Sequence, residues 1–213
     1  MLDKTELAKE INDAIGATDA EGNSIAVTSE METYAEAVIT TLTSATFTHL
    51  LVEGTTANGA PLQVGKADNG LFLPPLLAPT WFGVMQVGFP TANPAELLKE
   101  ATCSTTYLSG ASRINFTAGN ITGQCTSTPT SPGPLAAGQG SQGTIDELVG
   151  SDWGSSCMPT GGDSTLTNKI FTAISDYIIT NSEATYLPNT VNGVCPPGAG
   201  PLSAGTGAGG TIK

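Results

Sequence analysis

The stretch PLAAGQGSQGTI, Pro134–Ile145, decides how this chain is read. Its centre, GQGSQG from Gly138 to Gly143, fits G-x-G-x-x-G, the glycine pattern with which dinucleotide-binding folds approach a pyrophosphate. Two other stretches share its skeleton, PLQVGKADNGLF from Pro61 and PLSAGTGAGGTI from Pro201. Each places one glycine shortly after Pro-Leu, a second further on, and an apolar residue beyond it. The pairs are Gly65 and Gly70, Gly138 and Gly143, and Gly205 and Gly210. A second block precedes each copy: an aromatic residue, then an aliphatic one, then glycine. Its members are Phe47, Val52 and Gly54; Phe116, Ile121 and Gly123; and Tyr186, Val191 and Gly193. Two independent blocks recurring at about 70 residues define a three-fold internal repeat.

The repeat disposes of the nucleotide reading. A dinucleotide site needs a strand before the glycines, a helix after them and an acidic residue about twenty positions on, and no copy supplies that set. Ala67 also replaces the middle glycine in copy one. GAPLQVGKA, Gly59–Ala67, fails as a P-loop because its first glycine is misplaced and no Ser or Thr follows Lys66. No cofactor is expected. The glycines read as structural, permitting positive φ and close backbone approach, with Pro61, Pro134 and Pro201 fixing the start of a turn.

Charge narrows the partners. Seven Lys and Arg face 19 Asp and Glu, a formal net charge of −12, and no basic cluster is present to neutralise phosphates. Nucleic acid and anionic membrane surfaces are therefore not expected partners. MLDKTELAKEINDAIG at the start lacks the basic head, apolar middle and cleavage site of a signal peptide. The most apolar stretch, Leu71–Phe89, is interrupted by prolines and glycines and makes a poor membrane helix. With 26 Gly, 14 Pro and 12% charged residues, much irregular backbone is expected, while 39% hydrophobic residues argue against disorder.

Residues 1–27 read as an N-terminal helical extension, with a capping box at Asp3 and Glu6 and a stop at Gly16. Repeat unit one, 28–72, opens with Ser29 and Glu32 as a second capping box and an apolar stripe of Met31, Tyr34, Val38, Leu42 and Ala45. Unit two, 73–145, has a helix start at Asn93 and Pro94 and an exposed insertion, Thr126–Gly133. Unit three, 146–213, has a Gly/Ser-rich bend through Trp153 and Cys157, then a helix from about Ser164. The expected fold is mainly α, with long irregular Gly/Pro-rich loops and a few short strands around Val52, Ile121 and Val191. Its three tandem units of about 70 residues share one core.

Candidates for chemistry are few. His49, the sole histidine, reads as a surface or interface residue. Cys103, Cys125, Cys157 and Cys195 match no zinc or redox spacing. They leave three disulfide pairings open, beside four free thiols. Asp146, Glu147 and Asp152 read as solvated acids, and no G-x-S-x-G elbow is present. An enzyme is not expected, and no small-molecule substrate. Trp81, Trp153 and Tyr107 read as core; exposed, they would offer a glycan or receptor surface. The sequons at Asn115 and Asn120 carry little weight without a secretory signal.

The repeat blocks, about a third of the chain, resemble repeats of virion structural proteins from tailed bacteriophages, contractile-tailed ones most closely. The resemblance rests on Gly/Pro spacing. It implies a non-enzymatic particle component of the neck, tail or baseplate, assembled in many copies in the host cytoplasm. Its partners would be copies of itself and other virion proteins. The N-terminal helix or Leu71–Phe89 is expected to make the intersubunit contacts. A glycan- or receptor-binding module on a virion or cell surface is the other reading.

Overall fold

The computed structural model describes residues 1–16, 26–73, 77–157 and 163–213. The chain forms two compact units, each assembled from three separated stretches. One is Met1–Ala45, Pro74–Ser112 and Glu147–Ser182; the other is Thr46–Leu73, Arg113–Asp146 and Glu183–Lys213.

The first unit is helical: α1 (Lys4–Ile15), α2 (Ser29–Ser44), α3 (Leu77–Gly88), α4 (Pro94–Ala111), α5 (Gly150–Cys157) and α6 (Ser164–Asn181). Each helix packs on the next and α6 packs back on α1, so the six close a ring. Local chemistry fixes the ends. The Asp3 carboxylate accepts from the N–H groups of Thr5 and Glu6 at the start of α1, and Gly16 ends it at φ 64°. Asn93 caps α4 ahead of Pro94, and Asp163 caps α6. The cap of α2 is Thr28, one residue before the expected Ser29.

The second unit contains β1 (Thr46–His49), β2 (Val52–Ala57), β3 (Gln63–Phe72), β4 (Arg113–Cys125), β5 (Gly133–Asp146), β6 (Ala184–Cys195), β7 (Ala199–Pro201) and β8 (Ser203–Ile212). Its order is β1-β8-β6-β5-β4-β3-β2-β7, and β1 also pairs with β3, all antiparallel. Six strands thus close a barrel, with β2 and β7 as extras.

This overturns the expected mainly α fold, since strands make up 37% and helices 43% of the structure. The Gly/Pro-rich blocks expected to be turns are strands β3, β5 and β8. Glycine ordinarily weakens a strand because it has nothing to pack. Here the missing side chain makes room for a neighbour's. Gly210 lies opposite Phe47, Ala67 opposite Phe116, and Gly140 opposite Tyr186, so every aromatic of the repeat faces a small residue across the ladder.

Two further expectations change. The bend through Trp153 and Cys157 is helix α5, and much of the Pro-rich Leu71–Phe89 segment is helix α3. Residues 17–25 of the N-terminal extension, 74–76 of that segment and 158–162 beyond the bend lie outside the described residues. The apolar faces of α1 (Leu7, Ala8, Ile11) and α3 (Leu77, Trp81, Met85) are buried within the chain.

Candidate functional site

The residues singled out by the repeat meet inside the barrel. Phe47, Phe116 and Tyr186, all buried, form a triangle of rings with centroids 6.1, 5.4 and 4.8 Å apart. Val52, Ile121 and Val191 are buried too. Small barrels fill their interior with side chains in this way.

The glycines have two jobs. Gly143 and Gly207 lie against rings: a methyl on Gly143 would sit 2.7–2.9 Å from three atoms of Phe116, and one on Gly207 would sit 2.6–2.9 Å from three atoms of Tyr186. Gly70 is held in the same way by His49, and Gly210 by Phe47. Gly65, Gly138 and Gly205 instead lie against backbone, facing the carbonyl oxygens of Ile121, Val191 and Val52 in cyclic order. Gly54, Gly123 and Gly193 are covered by Leu62, Leu135 and Leu202. The left-handed backbone expected at the block glycines falls one residue earlier, on Val64, Ala137 and Ala204, at φ 46°, 51° and 48°.

His49 corrects the sequence reading most sharply. It is 1% exposed, with its ring 5.6–5.9 Å from Phe47, Phe116 and Tyr186. A carbonyl can only accept, so Nε2–H donates to Ile114 O at 2.7 Å. In the neutral ring Nδ1 then accepts from the Tyr186 hydroxyl at 3.0 Å. Burial pushes the imidazole pKa down, with the Ile114 bond and Asp68 opposing the shift, and it pushes the Tyr186 phenol up. Both shifts favour the neutral forms. The histidine is a scaffold part with both nitrogens occupied. Its repeat equivalents, Ala118 and Pro188, gave no sequence signal of this role.

The four cysteines form two disulfides, one in each unit. Cys125–Cys195 joins β4 to β6, and Cys103–Cys157 joins α4 to α5. Thr56, which holds the repeat position of Cys125 and Cys195, hydrogen-bonds Gly200 O instead. Trp81 and Trp153 are fully buried, and Tyr107 stacks on Trp153 at 5.5 Å while its hydroxyl donates to Val149 O. The side chain of Asn115 donates to Asp146 and accepts from Asn69 N–H, and Asn120 donates to Gln142 O. Pro61, Pro134 and Pro201 are exposed where their blocks begin.

A cleft of about 730 Å³ between α1 and α6 is lined by Glu10, Asp13, Lys169, Asp176 and Tyr177 among others. Its tyrosine is committed to structure: the hydroxyl accepts from Asp3 N–H at 2.7 Å and donates to Asp3 O at 3.0 Å, pinning the start of α1. Among the described residues no group of three or more His, Cys, Asp or Glu side chains is placed to hold a metal ion. Among them, too, no helix is long and apolar enough to cross a membrane. No protein-family model, curated protein or solved structure matches the chain.

Proposed function

We propose that this chain is a non-enzymatic structural component of a tailed-phage particle, working in the neck, tail or baseplate and contacting copies of itself and other virion proteins. One observation carries the reading. The side chain best able to act as a general base, the only histidine, is built into the barrel as a buried hydrogen-bonded ring, and the four cysteines are paired in two disulfides. A cross-link in each unit suits a protein whose working life is spent outside a reducing cytosol. A particle assembled in the host and released by lysis meets that condition, its disulfides closing after release.

Of the aromatics that would carry a glycan-binding reading, Trp81 and Trp153 lie in the core and Tyr107 is half-buried, which favours the structural reading. Contacts between subunits instead have apolar residues on the barrel exterior to use, with Leu50 82%, Leu51 58% and Leu187 57% exposed. The test is mass spectrometry of purified particles from cells carrying the gene, paired with mass photometry of the isolated protein. The chain is expected at stoichiometric abundance in particles and as a defined oligomer in isolation. Particles of full infectivity that lack the chain would overturn the proposal.

A further inference from the structure

The two disulfides differ in setting. Cys125 and Cys195 are essentially inaccessible, at 1% and 0% exposure, inside the barrel. Cys103 is half-buried on α4, and its bond to Cys157 borders a cavity of about 140 Å³. Glu96, Lys99 and Glu100 line that cavity together with both sulfur residues. Glu100 stands one helical turn before Cys103, on the same face of α4. Its Oε1 is buried without a hydrogen-bond partner, while the carboxyl interacts with the Tyr34 hydroxyl. No other buried carboxylate oxygen among the described residues is left unpaired in this way.

We propose that Cys103–Cys157 is a thiol–disulfide exchange site for small thiols, with Glu100 as the proton donor to the departing sulfur. A thiolate attacks Sγ of Cys103, the more exposed residue of the pair, forming a mixed disulfide and breaking the Cys103–Cys157 bond. Cys157, only 7% exposed, leaves as a thiolate in surroundings that solvate an anion poorly. The Glu100 carboxyl gives it a proton and becomes a carboxylate. A second thiolate attacks the mixed disulfide at the small-molecule sulfur and frees Cys103 as a thiolate, which takes a proton from solvent, as the Glu100 carboxylate then does. The protein gains two thiols and the small thiol is oxidised to its disulfide. Burial raises the Glu100 pKa and so keeps a larger share of the carboxyl protonated. The inference is independent of any role in a particle, since it concerns the isolated protein.

Dithiothreitol treatment of the folded, full-length protein, followed by acid quench, alkylation and peptide mass spectrometry, tests it. Cys103 and Cys157 are expected to label at least about 100-fold faster than Cys125 and Cys195, whose bond waits for unfolding. Glu100→Gln should slow labelling of the first pair about tenfold at a pH below the Glu100 pKa. Once corrected for thiolate concentration, the wild-type rate should fall as pH rises through the Glu100 pKa, and the variant's rate should stay flat. Tyr34→Phe removes a hydrogen bond that favours the ionised carboxyl, so it should shift the wild-type profile to higher pH. Continued protection of Cys125–Cys195 reports that each variant is folded. Equal labelling of the two pairs, or a folded Glu100→Gln with the wild-type rate and profile, would overturn the proposal.

Discussion

Replacing Gly143 by Ala adds one methyl group, and in an ordinary strand that change stabilises by about 0.5–1 kcal/mol through reduced backbone entropy. In this barrel the sign reverses. The new Cβ would lie 2.7, 2.8 and 2.9 Å from three atoms of the Phe116 ring, where ordinary carbon contacts are about 3.5–4.0 Å. The ring cannot retreat, because Phe47, His49 and Tyr186 surround it at 6.1, 5.6 and 5.4 Å between centroids. Overpacking of this kind costs about 1–3 kcal/mol, and with neighbours on three sides we place Gly143→Ala near the upper end, at about 3 kcal/mol. For a chain of this length that lowers Tm by about 6–12 °C. The assay is urea and thermal unfolding by circular dichroism on oxidised protein, as a double-mutant cycle with Phe116→Leu. Phe116→Leu alone destabilises, but it opens the space the methyl needs, so the pair should be coupled by about 2 kcal/mol. A Gly143→Ala protein as stable as wild type, or a cycle showing simple additivity, would refute the steric account of the glycine pattern.

Other expectations follow from single features. Val64 is a β-branched residue at φ 46° with its side chain 59% exposed, so Val64→Gly should raise stability by about 1 kcal/mol by removing backbone strain; a loss in chemical denaturation would contradict this. His49 has a lowered pKa when folded, so the unfolded chain binds a proton that the native barrel resists. Stability should then be intact above pH ~6.5 and fall by up to about 1.4 kcal/mol per pH unit below it, until the folded pKa is reached. The step should shrink in His49→Gln when Tm is measured against pH. Removing the barrel disulfide with Cys125→Ser and Cys195→Ser together, a separation of 70 residues, should cost about 4 kcal/mol in urea unfolding on the loop-entropy model.

Four of the six helices, α1, α2, α4 and α6, were legible because their causes are local, whereas α3 and α5 were not. Asp3, Asn93 with Pro94, and Gly16 act within a turn or two of their own position, and the stripes through Val38 and through Ile174 and Ile178 mark the faces that become buried. The three-fold recurrence of an aromatic, an aliphatic and a Gly/Pro block was equally plain, since periodicity is a property of the sequence itself. The residues it picked out, Phe47, Phe116 and Tyr186 with the glycines facing them, are those that fill the barrel.

What the blocks become was decided by tertiary structure. A glycine-rich stretch carries the same local preference whether it is a turn or a strand pressed against a ring, and the ring comes from a residue far away in sequence, as Phe116 does for Gly143 and Phe47 for Gly210. The same distance hid His49, whose partners Ile114 and Tyr186 lie 65 and 137 residues away. It also hid the cysteine pairing, which depends on which strands and helices come together. Sequence alone determined the repeat and the approximate positions and apolar faces of α1, α2, α4 and α6. Closure of three hairpins into one barrel turned glycine from a turn-former into the residue that makes space, because only in the closed form do strands and rings compete for the same volume.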